Sequence, residues 1–219
     1  MLRYSVFRQG DQKWSSKKMS PGPCSLGSDG CLVTALAGGL SNFAIDLDPG
    51  QLNDKLVVGG GYMDDSQLDW GRLPDILPGV KLYRRMRTTV HPGENEGEEL
   101  YDVAMGRMAQ AVDNGMIVLV HVDAIGHDDW PDHFCLLHPR WFIMDPAYGD
   151  IQHITVRYGT LDKAIKGYAI VTGSPVDFPE GGDPRSGGTV GKLLKGLDEP
   201  AILKQMAKES IDLLMSPKI

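Results

Sequence analysis

The stretch SLGSDGCLVTALAGGL, residues 25–40, decides how this chain is read. From Cys31 onward, Leu32, Val33, Ala35, Leu36 and Leu40 recur at helical spacing, and Gly38–Gly39 weaken the run near its end. Ser28 and Asp29 stand where an N-cap belongs, which predicts a helix whose first turn contains Cys31. A cysteine in that position meets unpaired backbone N–H groups and the positive end of the helix dipole. Both favour the thiolate, the form that attacks. Cys31 is therefore either a candidate nucleophile or a small buried hydrophobe at a helix start.

Working outward, residues 1–30 are polar and rich in Ser, Gly and Lys, with Trp14 as an isolated apolar position. After the helix, Asp48-Pro49-Gly50 opens a second one carrying Leu52, Leu56 and Val57, which Gly59-Gly60-Gly61 stops. Leu68, Trp70 and Leu73 form a short amphipathic piece ahead of Pro74 and Pro78, with Trp70 and Tyr62 read as core. The segment 97–113 reads as a further helix, its apolar face made by Leu100, Val103, Ala104, Met108 and Val112. Strand-like runs follow at Met116–Val122, His133–His138, Trp141–Met144, Ile151–Val156 and Tyr168–Val171, with a turn at His138-Pro139-Arg140. Helices early and strands late predict an α+β fold, not alternating βαβ units.

A thiol nucleophile needs a base from a distant part of the chain. His133 opens the apolar strand HFCLL, and Asp145 closes the next strand, FIMDP, where hairpin pairing brings it near His133 to hold the ring. From spacing alone, His133 is equally an ordinary strand-edge residue. The segment 121–133, HVDAIGHDDWPDH, gathers His121, Asp123, His127, Asp128, Asp129, Asp132 and His133. Its spacing fits no tight metal template, so it reads as a solvated loop forming a substrate-facing rim, and neither metal nor cofactor is expected. Trp130 within it is either a recognition aromatic or packing. Cys24 and Cys135 read as bystanders, Cys135 facing the core beside Phe134.

Taken in register, several strings resemble the bacteriocin-leader-peptidase-like branch of the papain-fold cysteine peptidases. Gln9, Asp11 and Trp14, then Leu26, Gly27, Ser28, Gly30, Cys31 and Thr34, match that family's opening. DPGQLNDKL and GGYMDDSQLDW are similar to its next elements, and NGMIVLVHVD, DHFCLL and FIMDPAYGD to its later ones, in order over residues 5–172. The resemblance implies a papain-like fold with a nucleophile helix packed on an antiparallel sheet. It also implies Cys31 as nucleophile, His133 as general base and then acid, Asp145 as orienter, and Gln9 as oxyanion-hole donor beside the Cys31 backbone N–H. In the classical papain arrangement that glutamine stands where Ser25 is here, so Gln9 depends on the intervening loop folding back.

Composition sets the remaining bounds. The chain has 219 residues, 42% hydrophobic and 23% charged, with a net charge of −7. No basic run provides the footprint of a nucleic-acid binder, and the longest aliphatic run, residues 116–120, is far short of a membrane span. Three cysteines build no disulfide framework, and the opening lacks an apolar stretch of signal-peptide length. The expectation is cytoplasmic synthesis without a secretion signal, with association with a virion as a further expectation. Residues 1–172 are expected as the peptidase-like domain, 173–188 as a Gly/Pro-rich linker and 189–219 as an amphipathic helix. That last segment is mildly basic, with five lysines against four acids, and suits a protein partner.

The function expected is cleavage of amide bonds through an acyl-enzyme on Cys31, in a peptide or in the peptide stems of peptidoglycan, as in a phage-associated cell-wall hydrolase. The alternative is a structural or docking component of a virion or injection assembly built on the same fold, with the C-terminal helix as its docking element.

Overall fold

A computed structural model describes residues 3–20, 22–89, 98–123 and 133–173. The chain divides into two compact units, 1–176 and 177–219. The expected linker beyond residue 173 and the expected C-terminal helix lie outside the described residues, as do Trp130 and His127, Asp128, Asp129 and Asp132 of the acidic loop.

The first unit is α+β. Helices α1 (Leu26–Asp29), α2 (Cys31–Leu40), α3 (Pro49–Val58) and α4 (Leu73–Ile76) precede β1 (Lys81–Thr89) and β2 (Glu98–Leu100). Then come α5 (Tyr101–Asp113), β3 (Ile117–Val122), β4 (His133–Leu137), β5 (Phe142–Asp145), β6 (Asp150–His153), α6 (Ile154–Tyr158), α7 (Leu161–Ala164) and β7 (Ile165–Thr172). The seven strands form one sheet in the order β2-β1-β7-β3-β4-β5-β6. The expected antiparallel sheet is in fact mixed: β2 lies parallel to β1, and every other neighbouring pair is antiparallel.

The caps explain where the helices begin. Asp48 caps α3 by accepting the Gln51 N–H at 2.8 Å, and Gln51 returns a side-chain oxygen to the Asp48 N–H at 3.0 Å, with Pro49 at the first turn. Ahead of Cys31 the chain makes two helical pieces where one was expected. Ser25, not Ser28 or Asp29, caps α1, and Gly30 is the N-cap of α2.

The sheet is sandwiched. On one face, Leu36 and Leu40 of α2 and Leu52 and Leu56 of α3 bury against Ile117, Leu119, Leu136, Met144, Ala169 and Val171. These sheet residues alternate along their strands, as a pleated sheet requires. The intervening Val118, Val120 and Ile170, also fully buried, point to the other face, where α5 packs against β1, β3 and β7 through Ala104, Met108 and Val112. Among the described residues, no helix is long and apolar enough to cross a membrane.

Candidate active site

Close backbone packing positions Cys31. The Gly30 N–H donates to the Leu26 carbonyl at 3.0 Å, and a Cβ on Gly30 would lie 2.4 Å from that oxygen and 2.7 Å from the Leu26 Cα. Gly27 is as constrained, since its Cβ would come within 2.9 Å of the Ser15 backbone oxygen. Gly30 therefore lets α1 fold against the start of α2, and Gly27 lets the N-terminal loop lie against α1. Partly buried Cys31 becomes the first residue of α2, among the N–H groups that a helix leaves unpaired at its start. It opens on a groove of about 670 Å³.

The hairpin β4–β5 supplies the other half of the site. Leu136 pairs with Met144 and Leu137 with Ile143, through a turn in which Arg140 and Trp141 take positive φ of 60° and 62°. By alternation His133, Cys135 and Asp145 share one face. His133 Nε2–H donates to Asp145 Oδ1 at 2.8 Å, with Asp145 fully buried. The same carboxylate accepts from the Ala147 N–H at 3.0 Å, from Arg157 Nη1 at 2.6 Å and from the Tyr158 hydroxyl at 2.7 Å. Arg157 also pairs with Asp150 at 3.1 Å and lies 3.5 Å over the Tyr148 ring.

The electrostatics follow from these contacts. Burial works against an imidazolium at His133, but the Asp145 hydrogen bond, and after it those with the Cys135 and Cys31 thiols, push the ring up to about 12. Burial likewise disfavours a charged Asp145, yet the bonds from His133, Tyr158 and Arg157 bring it down to about 2. Both shifts favour an imidazolium–carboxylate pairing, with Nε2 engaged by Asp145. Burial pushes the Cys135 thiol up to about 11, and its sulfur lies 4.0 Å from the Tyr158 hydroxyl.

The expected residues come together unequally. His133 hydrogen-bonds Asp145, and the Cys31 thiol is one of the groups that raise its ring. Gln9 is brought back by the N-terminal loop: its N–H donates to the Pro146 carbonyl at 2.8 Å, next to Asp145. Its side-chain Nε2 donates to the Gly27 carbonyl at 3.2 Å, while Oε1 is buried without a partner among the described residues. Gln9 thus lies against α1, its side-chain amide bonded to Gly27.

Some placements differ from those expected. Cys135, read as a bystander, touches the His133 ring. Trp70 and Tyr62, read as core, do pack against it and in addition line the groove together with Phe134, on which the His121 ring stacks at 4.0 Å. Arg157 and Tyr158 went unrecognised because Ile151–Val156 reads as a strand. The strand ends at His153 and α6 turns both side chains onto Asp145.

Donor atoms of His133, Cys135 and Asp145 lie within 4.8 Å of one another. They make a poor metal cradle, because both Asp145 oxygens are taken by hydrogen bonds and a guanidinium already sits on one of them. Compared with protein-family models, with curated proteins and with solved structures, the chain shows no match.

Proposed function

We propose that this chain is a papain-like thiol hydrolase, similar to the bacteriocin-leader-peptidase-like branch, which cleaves amide bonds through an acyl-enzyme on Cys31. The observation that carries the reading is a His133 ring held on the buried Asp145 at 2.8 Å, with the Cys31 thiol at the start of α2 among the groups that act on that ring. Because Asp145 holds Nε2, the nitrogen left to face a thiol or a substrate is Nδ1. With the ring held protonated, the proton required by the leaving amine is in place before attack.

In this mechanism the Cys31 thiolate adds to the scissile carbonyl carbon, and the carbonyl π electrons move to oxygen. The N–H groups at the start of α2 receive that developing charge; donors of this kind are typically worth ~10²–10³ in rate. Gln9 is the proposed second donor, using the amide hydrogen that Gly27 does not take. Collapse of the intermediate breaks the C–N bond as His133 gives its proton to the departing nitrogen. A water then attacks the thioester, His133 takes its proton, and breaking the C–S bond releases the acid and restores the thiolate and imidazolium pair. Asp145 fixes the ring orientation and remains ionised throughout.

Peptides and peptidoglycan stems are the proposed substrates. Turnover of both by the wild type and by Cys31→Ala, followed by mass spectrometry, tests the reading: cleavage by the wild type alone is expected. Equal turnover by the two proteins refutes it, as does Cys31 reacting with iodoacetamide no faster than free cysteine at neutral pH.

A further inference from the structure

The groove beside Cys31 has a polar end that the proposed reaction does not use. Its floor is a single row across four strands. Arg87 of β1 pairs with Gly167 of β7, Gly167 with His121 of β3, and His121 with Phe134 of β4, the residue next to His133. Arg85, opposite Ala169, stands one step further along the same face. With strands about 4.8 Å apart, the row separates the β1 and β4 backbones by about 14 Å.

The floor between these ends is kept low. A Cβ on Gly167 would meet the Met86 carbonyl at 2.9 Å, so no side chain rises between the arginines and His121. Trp70, Tyr62, Asp29 and Asp65 line other parts of the groove. The two faces of β1 treat their arginines differently. Arg84, on the far face, is neutralised by buried Glu99 at 3.1 Å and bonds to Tyr168 at 3.2 Å. Arg85, exposed in the groove, has no ion pair or hydrogen bond among the described residues. A guanidinium is a planar fork matched to a carboxylate, and this one is left unengaged at the rim of a channel leading to a nucleophile.

We infer that the groove takes an extended acidic peptide, whose carboxylate binds Arg85 while its chain runs along the floor toward the Cys31 end. An extended chain rising about 3.3 Å per residue crosses the floor of about 14 Å between β1 and β4 in about four residues. This assignment rests on the thiol-hydrolase reading, since it takes Cys31 as the group the bound peptide approaches.

The test uses protection of Cys31 from iodoacetamide, with labelling at that residue read by mass spectrometry. The probes are end-blocked tetraglutamate, tetraalanine and tetralysine. Tetraglutamate is expected to slow labelling of the wild type where tetraalanine and tetralysine do not, and added salt weakens the effect. Arg85→Gln raises the tetraglutamate concentration needed by about fivefold, as suits a largely exposed ion pair, and Arg85→Lys retains much of the protection. Equal protection by all three peptides, no protection by any, or unchanged protection in Arg85→Gln overturns the inference. The two readings fail separately. A Cys31 that labels only at the rate of free cysteine removes the hydrolase mechanism, whereas charge-selective, Arg85-dependent protection still reports the anion site.

Discussion

Asp145→Asn offers the most direct test of the hydrogen-bonded site, because nearly all of its cost is visible in the structure. Asp145 is fully buried and accepts four hydrogen bonds, two of them from Arg157 and Tyr158. An asparagine keeps one acceptor oxygen and puts an NH₂ group where the other stood. The Tyr158 hydroxyl can rotate to accept from that group; the Arg157 guanidinium can only donate. Removing one partner of a buried ion pair costs about 3–5 kcal/mol, and Arg157 retains Asp150, so about 3 kcal/mol is expected.

The pH dependence carries a defined sign. Asp145 is lowered from the ordinary 3.8 to about 2, so its stabilisation is present above pH 3.8 and lost as pH falls through about 2. His133 is raised from 6.5 to about 12, so its stabilisation is complete below pH 6.5 and lost as pH rises through about 12. The gap between wild type and variant is therefore widest between pH 3.8 and 6.5. Urea denaturation at pH 5.5 and pH 2.5 measures it. A gap below 1 kcal/mol at pH 5.5, or one that does not shrink on acidification, would refute the account of the pair.

Tyr158→Phe removes a hydrogen bond to a charged acceptor, a loss of about 1.5–3 kcal/mol, and moves the acid limb of the denaturation profile upward because Asp145 is less well held as an anion. Gly30→Ala drives a methyl group into the Leu26 backbone; about 1–3 kcal/mol of stability is lost in urea melts, and Cys31 labelling slows as α2 shifts. Leu36→Ala opens a cavity between α2 and the sheet at about 2–5 kcal/mol, with no change in the shape of the pH profile.

What the sequence discloses of this fold depends on whether a signal is local. Asp48-Pro49 and Gly59 mark α3 at both ends because caps are read over three or four residues. The β-branched runs of β3 and β7 announce themselves in the same way. Lys81–Thr89 does not: its nine residues include three arginines and a lysine, and it is a strand because β7 and β2 pair with it, not because of its own apolar pattern. Ile154-Thr155-Val156 misleads in the opposite direction. Its branched side chains suggest a strand, but His153 accepts the Thr155 N–H and Ile154 buries, which starts α6. The same limit governs the site. Asp145 follows from a contiguous hairpin and Cys31 from a helix start, whereas the donors on α6 depend on a chain reversal after β6 that no short motif encodes.

The hydrogen-bonded site also has an order of assembly built into its connectivity. His133, Asp145, Arg157 and Tyr158 come from one continuous segment, whereas Cys31 lies about a hundred residues upstream. Closing that long loop costs about 2 kcal/mol more in chain entropy than closing the 12-residue step from His133 to Asp145. The imidazole–carboxylate half is thus the cheaper one to form, and the thiol joins when α2 docks. In the reverse direction, an excursion that releases only α1 and α2 leaves the dyad intact and strips it of its nucleophile. Loss of thiol chemistry would then precede melting of the sheet.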